Sequence, residues 1–69
     1  MPFDNVFTVN DDGSVTTRAT IRVGGITIRE GARLLQGQTI AGIDFTQFVG
    51  RRLEVEIDGS TYVVKGIYS

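Results

Sequence analysis

The sequence contains no cysteine and no histidine, and each absence removes a class of chemistry. Without cysteine the chain forms no disulfide, and without either residue type it lacks the usual ligands of a structural zinc site. Histidine is the commonest general base near neutral pH and cysteine the commonest soft nucleophile, so Ser-His-Asp, Cys-His and zinc-hydrolase mechanisms are excluded within one chain. We therefore expect a protein that is not an enzyme and that carries no metal and no cofactor.

The chain also lacks any apolar run approaching the roughly 20 residues of a membrane-spanning helix. Its start has neither the basic segment nor the apolar segment of a signal peptide. Apolar residues make up 41% of the 69 residues, too many for a disordered chain. These features predict a soluble single domain, residues 1–69, that is cytoplasmic and has no membrane partner. Because so short a chain buries only a modest fraction of its surface, we expect tight packing or self-association to stabilise it.

Helix-forming residues are scarce. Leu and Ala number three each, whereas Val, Ile and Thr together number 23. β-Branched residues favour strands, and the nine Gly fall between the β-branched runs, as is typical of turns. The composition predicts an all-β fold class, mainly β with one short helix.

The clearest strand runs from Ser14 to Val23, where polar and apolar residues alternate with period two. At about ten residues it is longer than most strands, so we expect it to bend or to change partners midway. Gly24-Gly25 then suits a two-residue turn with positive φ at both positions. Closing the turn there sets Ile21 opposite Ile28, with apolar pairs on one face and polar pairs on the other. This agreement predicts both the hairpin and its register.

Shorter elements are predicted on either side of this hairpin. Val6 to Val9 is a short strand candidate, and the acidic segment Asn10 to Gly13 is a turn. After the hairpin, Arg33-Leu34-Leu35 is expected to pair briefly. Asp44 at an N-cap predicts a helix of one or two turns over Phe45 to Val49, with its apolar residues facing inward.

A final hairpin is predicted from Arg52 to Ile57 and from Ser60 to Tyr68, around an Asp58-Gly59 turn. Closing the loop at that turn places Val55 opposite Tyr62. The second strand of this hairpin is apolar on both faces, which requires a covering element on each side.

The order of these elements resembles that of a known barrel family. After the N-terminal strand come a long bent strand, a strand, a poorly defined third strand, a short helix and two final strands. This order is similar to the OB-fold, a five-stranded Greek-key barrel, and an SH3-like barrel would show many of the same strands. The resemblance implies a small five- to six-stranded antiparallel barrel or roll, OB-like or SH3-like. Residues 14–68 would form the barrel core, and residues 1–13 an N-terminal strand and acidic turn.

Charge is uneven along the chain, since residues 18–33 carry a net +3 and residues 1–17 a net −3. On the predicted hairpin a polar, arginine-rich face is expected, and it supplies the candidate ligand-binding residues Arg18, Arg22, Arg29 and Arg33. Proteins that bind nucleic acid strands combine such cations with stacking aromatics, but this hairpin has no aromatic residue and the whole chain has a net charge of −1. A solvated or subunit-pairing face is therefore the competing interpretation.

The C-terminal strand supplies the candidate interface. Val63 and Ile67 lie on the parity that should face water, and we expect a second subunit to cover them, with Tyr68 in the same interface. Coverage by the N-terminal strand or the short helix of the same chain is the alternative. The sequence thus predicts a non-enzymatic small β-barrel module for assembly or protein interaction, acting as a homo-oligomer or with a protein partner.

Two other classes of function are left open. One is an OB-like binder of nucleic acid or another polyanion through the arginine-rich hairpin face. The other is an enzyme whose active site forms between identical subunits, for which the sequence locates neither a pocket nor a substrate.

Overall fold

Seven short strands and two single-turn helices make up the computed structural model, which describes residues 1–68. In chain order the elements are α1 (Phe3–Val6), β1 (Phe7–Val9), β2 (Val15–Thr17), β3 (Thr20–Val23), β4 (Ile26–Ile28), β5 (Arg33–Leu34), a 3-10 helix (Phe45–Phe48), β6 (Leu53–Asp58) and β7 (Thr61–Ile67). The first strand begins one residue later than the sequence predicts, because Val6 is the last residue of α1.

The strands form two sheets, and within residues 1–68 neither sheet closes into a barrel. One sheet has three antiparallel strands in the order β1-β2-β5. The other has four strands in the order β4-β3-β7-β6, and in it β3 and β7 run parallel. The mainly β class is confirmed. The prediction of a wholly antiparallel arrangement is wrong, because two distant segments of the chain meet in the same direction at this central pair.

The predicted strand from Ser14 to Val23 divides at residues 18–19 into β2 and β3, which belong to different sheets. The buried side chain of Thr17 holds this bend. Its Oγ1 donates a hydrogen bond to the Arg29 carbonyl at 2.7 Å and accepts one from the Ala32 amide at 3.0 Å. Because a buried hydroxyl is costly when unpaired, these bonds fix the point at which the chain leaves one sheet for the other. The expected midway change of partners is confirmed.

The β3–β4 hairpin has the predicted register, with Ile21 opposite Ile28 and Val23 opposite Ile26. The turn residues Gly24 and Gly25 have φ angles of 55° and 84°, as a two-residue hairpin loop of this type requires. The local sequence therefore specifies both the turn and the register of this hairpin.

A second tight turn lies against the first. The backbone groups of Ile40 and Ile43 donate to each other at 2.9 Å in both directions, and the residues between them, Ala41 and Gly42, have φ angles of 51° and 80°. Ala41 is a non-glycine residue in the left-handed region, where its Cβ is crowded. A Cβ at Gly24 would lie only 2.9 Å from the Ala41 Cβ, so the two turns pack closely because Gly24 has no side chain.

The short helix forms where it was predicted, as a 3-10 helix. The Asp44 carboxylate caps it by accepting from the Thr46 amide at 3.0 Å. Phe45 is buried and Phe48 is half-buried, as expected for an inward face. The prediction that Val49 also faces inward is wrong, because the helix ends at Phe48 and Val49 is exposed.

The C-terminal hairpin forms with a shifted register. Asp58 pairs with Thr61, so the turn is Gly59-Ser60 and Val55 lies opposite Val64 instead of Tyr62. Gly59 has a φ of 63°, which suits the first central position of a hairpin turn. Since the register moves by two residues, the same residues still share a face.

A β-bulge near the end of β7 changes which way Ile67 points. Val55 pairs with Val64 but Glu54 pairs with Gly66, so Lys65 is an extra residue without an opposite partner. Beyond the bulge Ile67 lies opposite the buried Leu53 and packs against the core. The prediction that Ile67 lies on the outer parity is therefore wrong.

The core between the sheets centres on three phenylalanines. The rings of Phe3 and Phe7 are stacked with centroids 4.7 Å apart, and Phe7 and Phe45 lie 5.2 Å apart. Val15 from the first sheet and Ile21 from the second are fully buried against them. The N-terminal residues Phe3 and Phe7 therefore pack in the core against side chains from both sheets.

We predict that Gly24→Ala destabilises the fold more than Gly25→Ala. Each substitution places a side chain at positive φ, at about 1 to 2 kcal/mol. Only at Gly24 does the new Cβ meet a neighbour, since nothing lies within 4 Å of a Cβ at Gly25. Urea unfolding of the two variants measures the difference, and adding Ala41→Gly to Gly24→Ala should recover the extra loss. Equal destabilisation by the two single substitutions would show that the turns do not touch.

Candidate functional site

The four candidate arginines lie on three parts of the fold. Arg22 is on β3 and Arg29 directly follows β4, so both belong to the outer face of the four-stranded sheet. Arg18 lies at the bend between the sheets, and Arg33 lies on β5 in the other sheet. The predicted single arginine-rich face is therefore divided, because the long strand that was to carry it splits between two sheets. Arg22 also has a neighbouring acid, with its Nη2 atom 3.9 Å from Oδ2 of Asp58.

Arg33 belongs to a polar network that closes the β1–β2 turn. Its Nε donates to the Ser14 hydroxyl at 3.0 Å, and its Nη2 forms an ion pair with the Asp12 carboxylate. The hydroxyl and the amide of Ser14 both donate to Asp12, and Asn10 donates to Ser14 at 3.0 Å. The bonds from Ser14, with a smaller contribution from Arg33, lower the pKa of the Asp12 carboxyl from 3.8 to about 2. Arg33 thus joins the acidic turn to β5.

Arg18 lies in a polar cleft of about 340 Å³ that it lines with Asn5 and Tyr62. Its Nη1 donates to the Asp4 carbonyl at 3.0 Å, which holds the guanidinium beside α1. Tyr62 reaches this cleft because β7 runs parallel to β3 and places it next to Ile21. The guanidinium and the side-chain amide are groups that bind an anion, and Tyr62, which packs partly against the core, completes the wall of the cleft.

Tyr62 was not among the predicted site residues. The hairpin that carries the arginines has no aromatic residue of its own, and the pairing that brings Tyr62 to it joins distant parts of the sequence. No local pattern signals that pairing. Alternation along the strand indicates only that Tyr62 faces the same side as Val64.

A second groove, of about 320 Å³, is mostly apolar and lies beside the two packed turns. Val23, Val64 and Ile67 line it from the sheet, and Ala41 and Ile43 line it from the second turn. Strained backbone often marks a functional site. Here the two-residue turn closed by Ile40 and Ile43 requires positive φ at both central positions, which accounts for the left-handed Ala41 on structural grounds.

The two outer strands of the four-stranded sheet expose apolar side chains. Ile26 on β4 is 47% exposed and Ile57 on β6 is 60% exposed. Both belong to the face that covers the core, because Ile26 lies opposite the buried Val23 and Ile57 opposite Tyr62. The core-facing side of this sheet is therefore covered at its centre and uncovered at both edges.

The predicted interface residues lie elsewhere. Within the described residues β7 is an interior strand, paired with β3 on one side and β6 on the other. Val63 lies on the outer face between Arg22 and Glu56 in the neighbouring strands and is only 7% exposed. Long arginine side chains cover apolar neighbours with their methylene groups, which explains this burial within one chain. Tyr68 is exposed, and its amide donates to the Arg52 carbonyl at 2.8 Å.

We predict that Asp12→Asn lowers the melting temperature at neutral pH and that this difference shrinks in acid. The folded-state pKa of Asp12 is depressed to about 2, so its ionised form stabilises the fold above the unfolded value of 3.8, and the stabilisation is lost as pH falls through about 2. Thermal unfolding of wild type and variant between neutral pH and about 2 tests this. The neighbouring Asp11→Asn is the matched control, with a smaller effect. A difference that stays constant down to the lowest pH would contradict the role of the ionised carboxylate.

The described residues thus present a polar cleft, an apolar groove and two open sheet edges. Within residues 1–68 no helix is long and apolar enough to cross a membrane, and no three His, Cys, Asp or Glu side chains are grouped as metal ligands. In comparisons with known proteins, no family model, no curated protein and no solved structure matches this chain.

Proposed function

We propose that this chain is a non-enzymatic assembly module that associates with copies of itself through the open edges of its four-stranded sheet. The observation that carries the proposal is the pair of exposed isoleucines, Ile26 and Ile57, at opposite edges of one sheet. Unpaired strand edges bind other strands through backbone hydrogen bonds, and exposed apolar side chains gain about 25 cal/mol for each Å² they bury.

Charge supports a second copy as the partner. The outer face of β6 carries three exposed acids, which are Glu54, Glu56 and Asp58. The opposite edge strand, β4, carries no acidic residue, and Arg29 directly follows it. One edge is acidic and the other basic, so one copy presents to another a surface of opposite sign and similar apolar character.

We predict that the average mass of the protein rises with concentration. Sedimentation velocity from micromolar to millimolar protein should show growth beyond the monomer. Amide hydrogen exchange compared at the two limits should show slower exchange in β4 and β6 at high concentration, with no change in β1 as the internal control. A monomer at every concentration, with unchanged exchange in β4 and β6, would contradict the proposed function.

A second candidate function is favoured by the polar cleft. We propose that Arg18, Asn5 and Tyr62 bind a polyanion such as single-stranded nucleic acid, with the guanidinium on a phosphate and a base on the tyrosine ring. The proposal is supported by the fact that these three residues line the same cleft. The resemblance to an OB-like or SH3-like barrel is part of this second proposal. The order of the strands before and after the short helix supports that resemblance.

We predict salt-dependent binding of labelled single-stranded DNA if the cleft acts in this way, since contacts to phosphate release counterions. Tyr62→Leu should weaken binding by about 1 to 3 kcal/mol through loss of one stacked base. Arg18→Gln should weaken it and reduce the salt dependence, whereas Arg51→Gln, outside the cleft, is the matched control. No binding at low salt, or equal losses for Arg18→Gln and Arg51→Gln, would remove this second candidate.

A further inference from the structure

The two edges of the four-stranded sheet run in the same direction. β4 is antiparallel to β3, β6 is antiparallel to β7, and β3 is parallel to β7. A copy placed beside the sheet in the same orientation would therefore bring its β6 alongside β4 as a parallel strand. Backbone bonds from residues 1–3 to residues 51–53 occupy the first part of β6, which leaves Glu54 to Asp58 as the free segment.

The backbone N–H and C=O groups that point away from the sheet at its two edges can be brought into hydrogen-bonding register. In a hairpin closed by two residues, the pair beside the turn exchanges both backbone bonds, and the next pair points its groups outward. In the β3–β4 hairpin this rule directs the N–H and C=O of Thr27 away from β3. In the β6–β7 hairpin it directs those of Val55 and Ile57 away from β7. A residue in a parallel pair bonds to two residues on its neighbour, one before and one after the position opposite it. Thr27 placed opposite Glu56 of another copy would meet the free groups of Val55 and Ile57.

The same register matches the side chains. With Thr27 beside Glu56 of the neighbouring copy, Ile26 lies beside Val55 and Ile28 beside Ile57, all on the core-facing side. On the outer side Arg29 lies beside Asp58, and its guanidinium meets an acid. Within one sheet these residues already lie side by side in rows that cross the strands. Ile28, Ile21, Tyr62 and Ile57 form one row, and Ile26, Val23, Val64 and Val55 form another.

We propose that β4 of one copy pairs in parallel with Glu54 to Asp58 of the next copy, so that the four-stranded sheet continues from chain to chain. This inference rests on the proposed function and names its interface. Pairing of two β6 edges about a two-fold axis would oppose acid to acid, and pairing of two β4 edges would leave the acids of both β6 edges without a partner of opposite charge. A head-to-tail interface leaves one edge of each kind free at the ends, so assembly continues beyond a dimer.

Two edge variants test the proposal. Ile26→Asp disables the basic edge and leaves the acidic edge intact, and Ile57→Asp does the reverse. Both positions are exposed, at 47% and 60%, so the fold tolerates the change, and circular dichroism verifies it. Leu35→Asp is the matched control, because Leu35 is also 47% exposed but lies beside the other sheet. We expect each edge variant alone to associate at least about tenfold more weakly than wild type, since a carboxylate would have to be buried unpaired.

The decisive measurement is the equimolar mixture of the two edge variants in sedimentation velocity. The intact basic edge of Ile57→Asp should pair with the intact acidic edge of Ile26→Asp, giving a one-to-one complex that grows no further. If wild type associates and one of the two edge variants associates equally well, the interface is two-fold. This result would overturn this proposal while the proposed function stands. A mixture that stays monomeric, or loss of association in Leu35→Asp alone, would also overturn it. A wild-type monomer at all concentrations would instead reject the proposed function itself.

Discussion

The parallel pairing of β3 with β7 is the constraint on which the rest of the structure depends. It joins the two hairpins of the larger sheet, and each hairpin on its own would be a marginal two-stranded unit. It places Val23 and Val64 side by side in the core and carries Tyr62 to the bend that holds Arg18. It also sets the direction of the outer strands, because each is the antiparallel partner of one of the two parallel strands.

The bend after Thr17 makes that pairing possible. If Ser14 to Val23 continued as one strand, β3 would extend β2 in the first sheet instead of belonging to the second sheet with β7. The Thr17 hydroxyl, with one bond donated and one accepted, stabilises the change of sheet without an unpaired polar group in the core. A single strand-length segment thus supplies strands to both sheets, and residues of both sheets share one core with the three phenylalanine rings.

The sequence predicts the local part of this fold and misses the distant part. The register of Ile21 with Ile28 was predictable because Gly24-Gly25 admits one turn and alternation fixes the faces. The final hairpin was predicted with a register error of two residues, since a shift of two preserves every face and the sequence offers adjacent turn positions at Asp58-Gly59 and Gly59-Ser60. The outward placement of Ile67 was wrong because of the bulge at Lys65, for which Gly66 within the strand is the available signal.

The candidate sites show the same division. Alternation along the predicted hairpin groups Arg18, Arg22 and Arg29 on one face, with Arg33 nearby. The bend places Arg18 between the two sheets, and Arg33 lies on β5 of the other sheet, so both are separated from Arg22 and Arg29. The cleft with Tyr62 depends on the parallel pair, for which the sequence has no local mark. Burial of Val63 depends on its cross-strand neighbour Arg22, which alternation along a single strand does not show.

Charge at the sheet edges acts on more than one level. Three acids on the outer face of β6 repel a second β6, which protects the longest free edge of this sheet from pairing with its own kind. In the head-to-tail pairing that we propose, the same acids would face the strand that precedes Arg29, so the charges that oppose one pairing would favour another. Because exposed ion pairs contribute only about 0 to 1 kcal/mol each, the charges would set the orientation of the proposed pairing, and its free energy would come mainly from backbone bonds and from Ile26 and Ile57. Each mode of edge pairing would bury an exposed isoleucine from both copies, whereas only the proposed head-to-tail mode would place the acids of β6 beside a strand that is followed by an arginine.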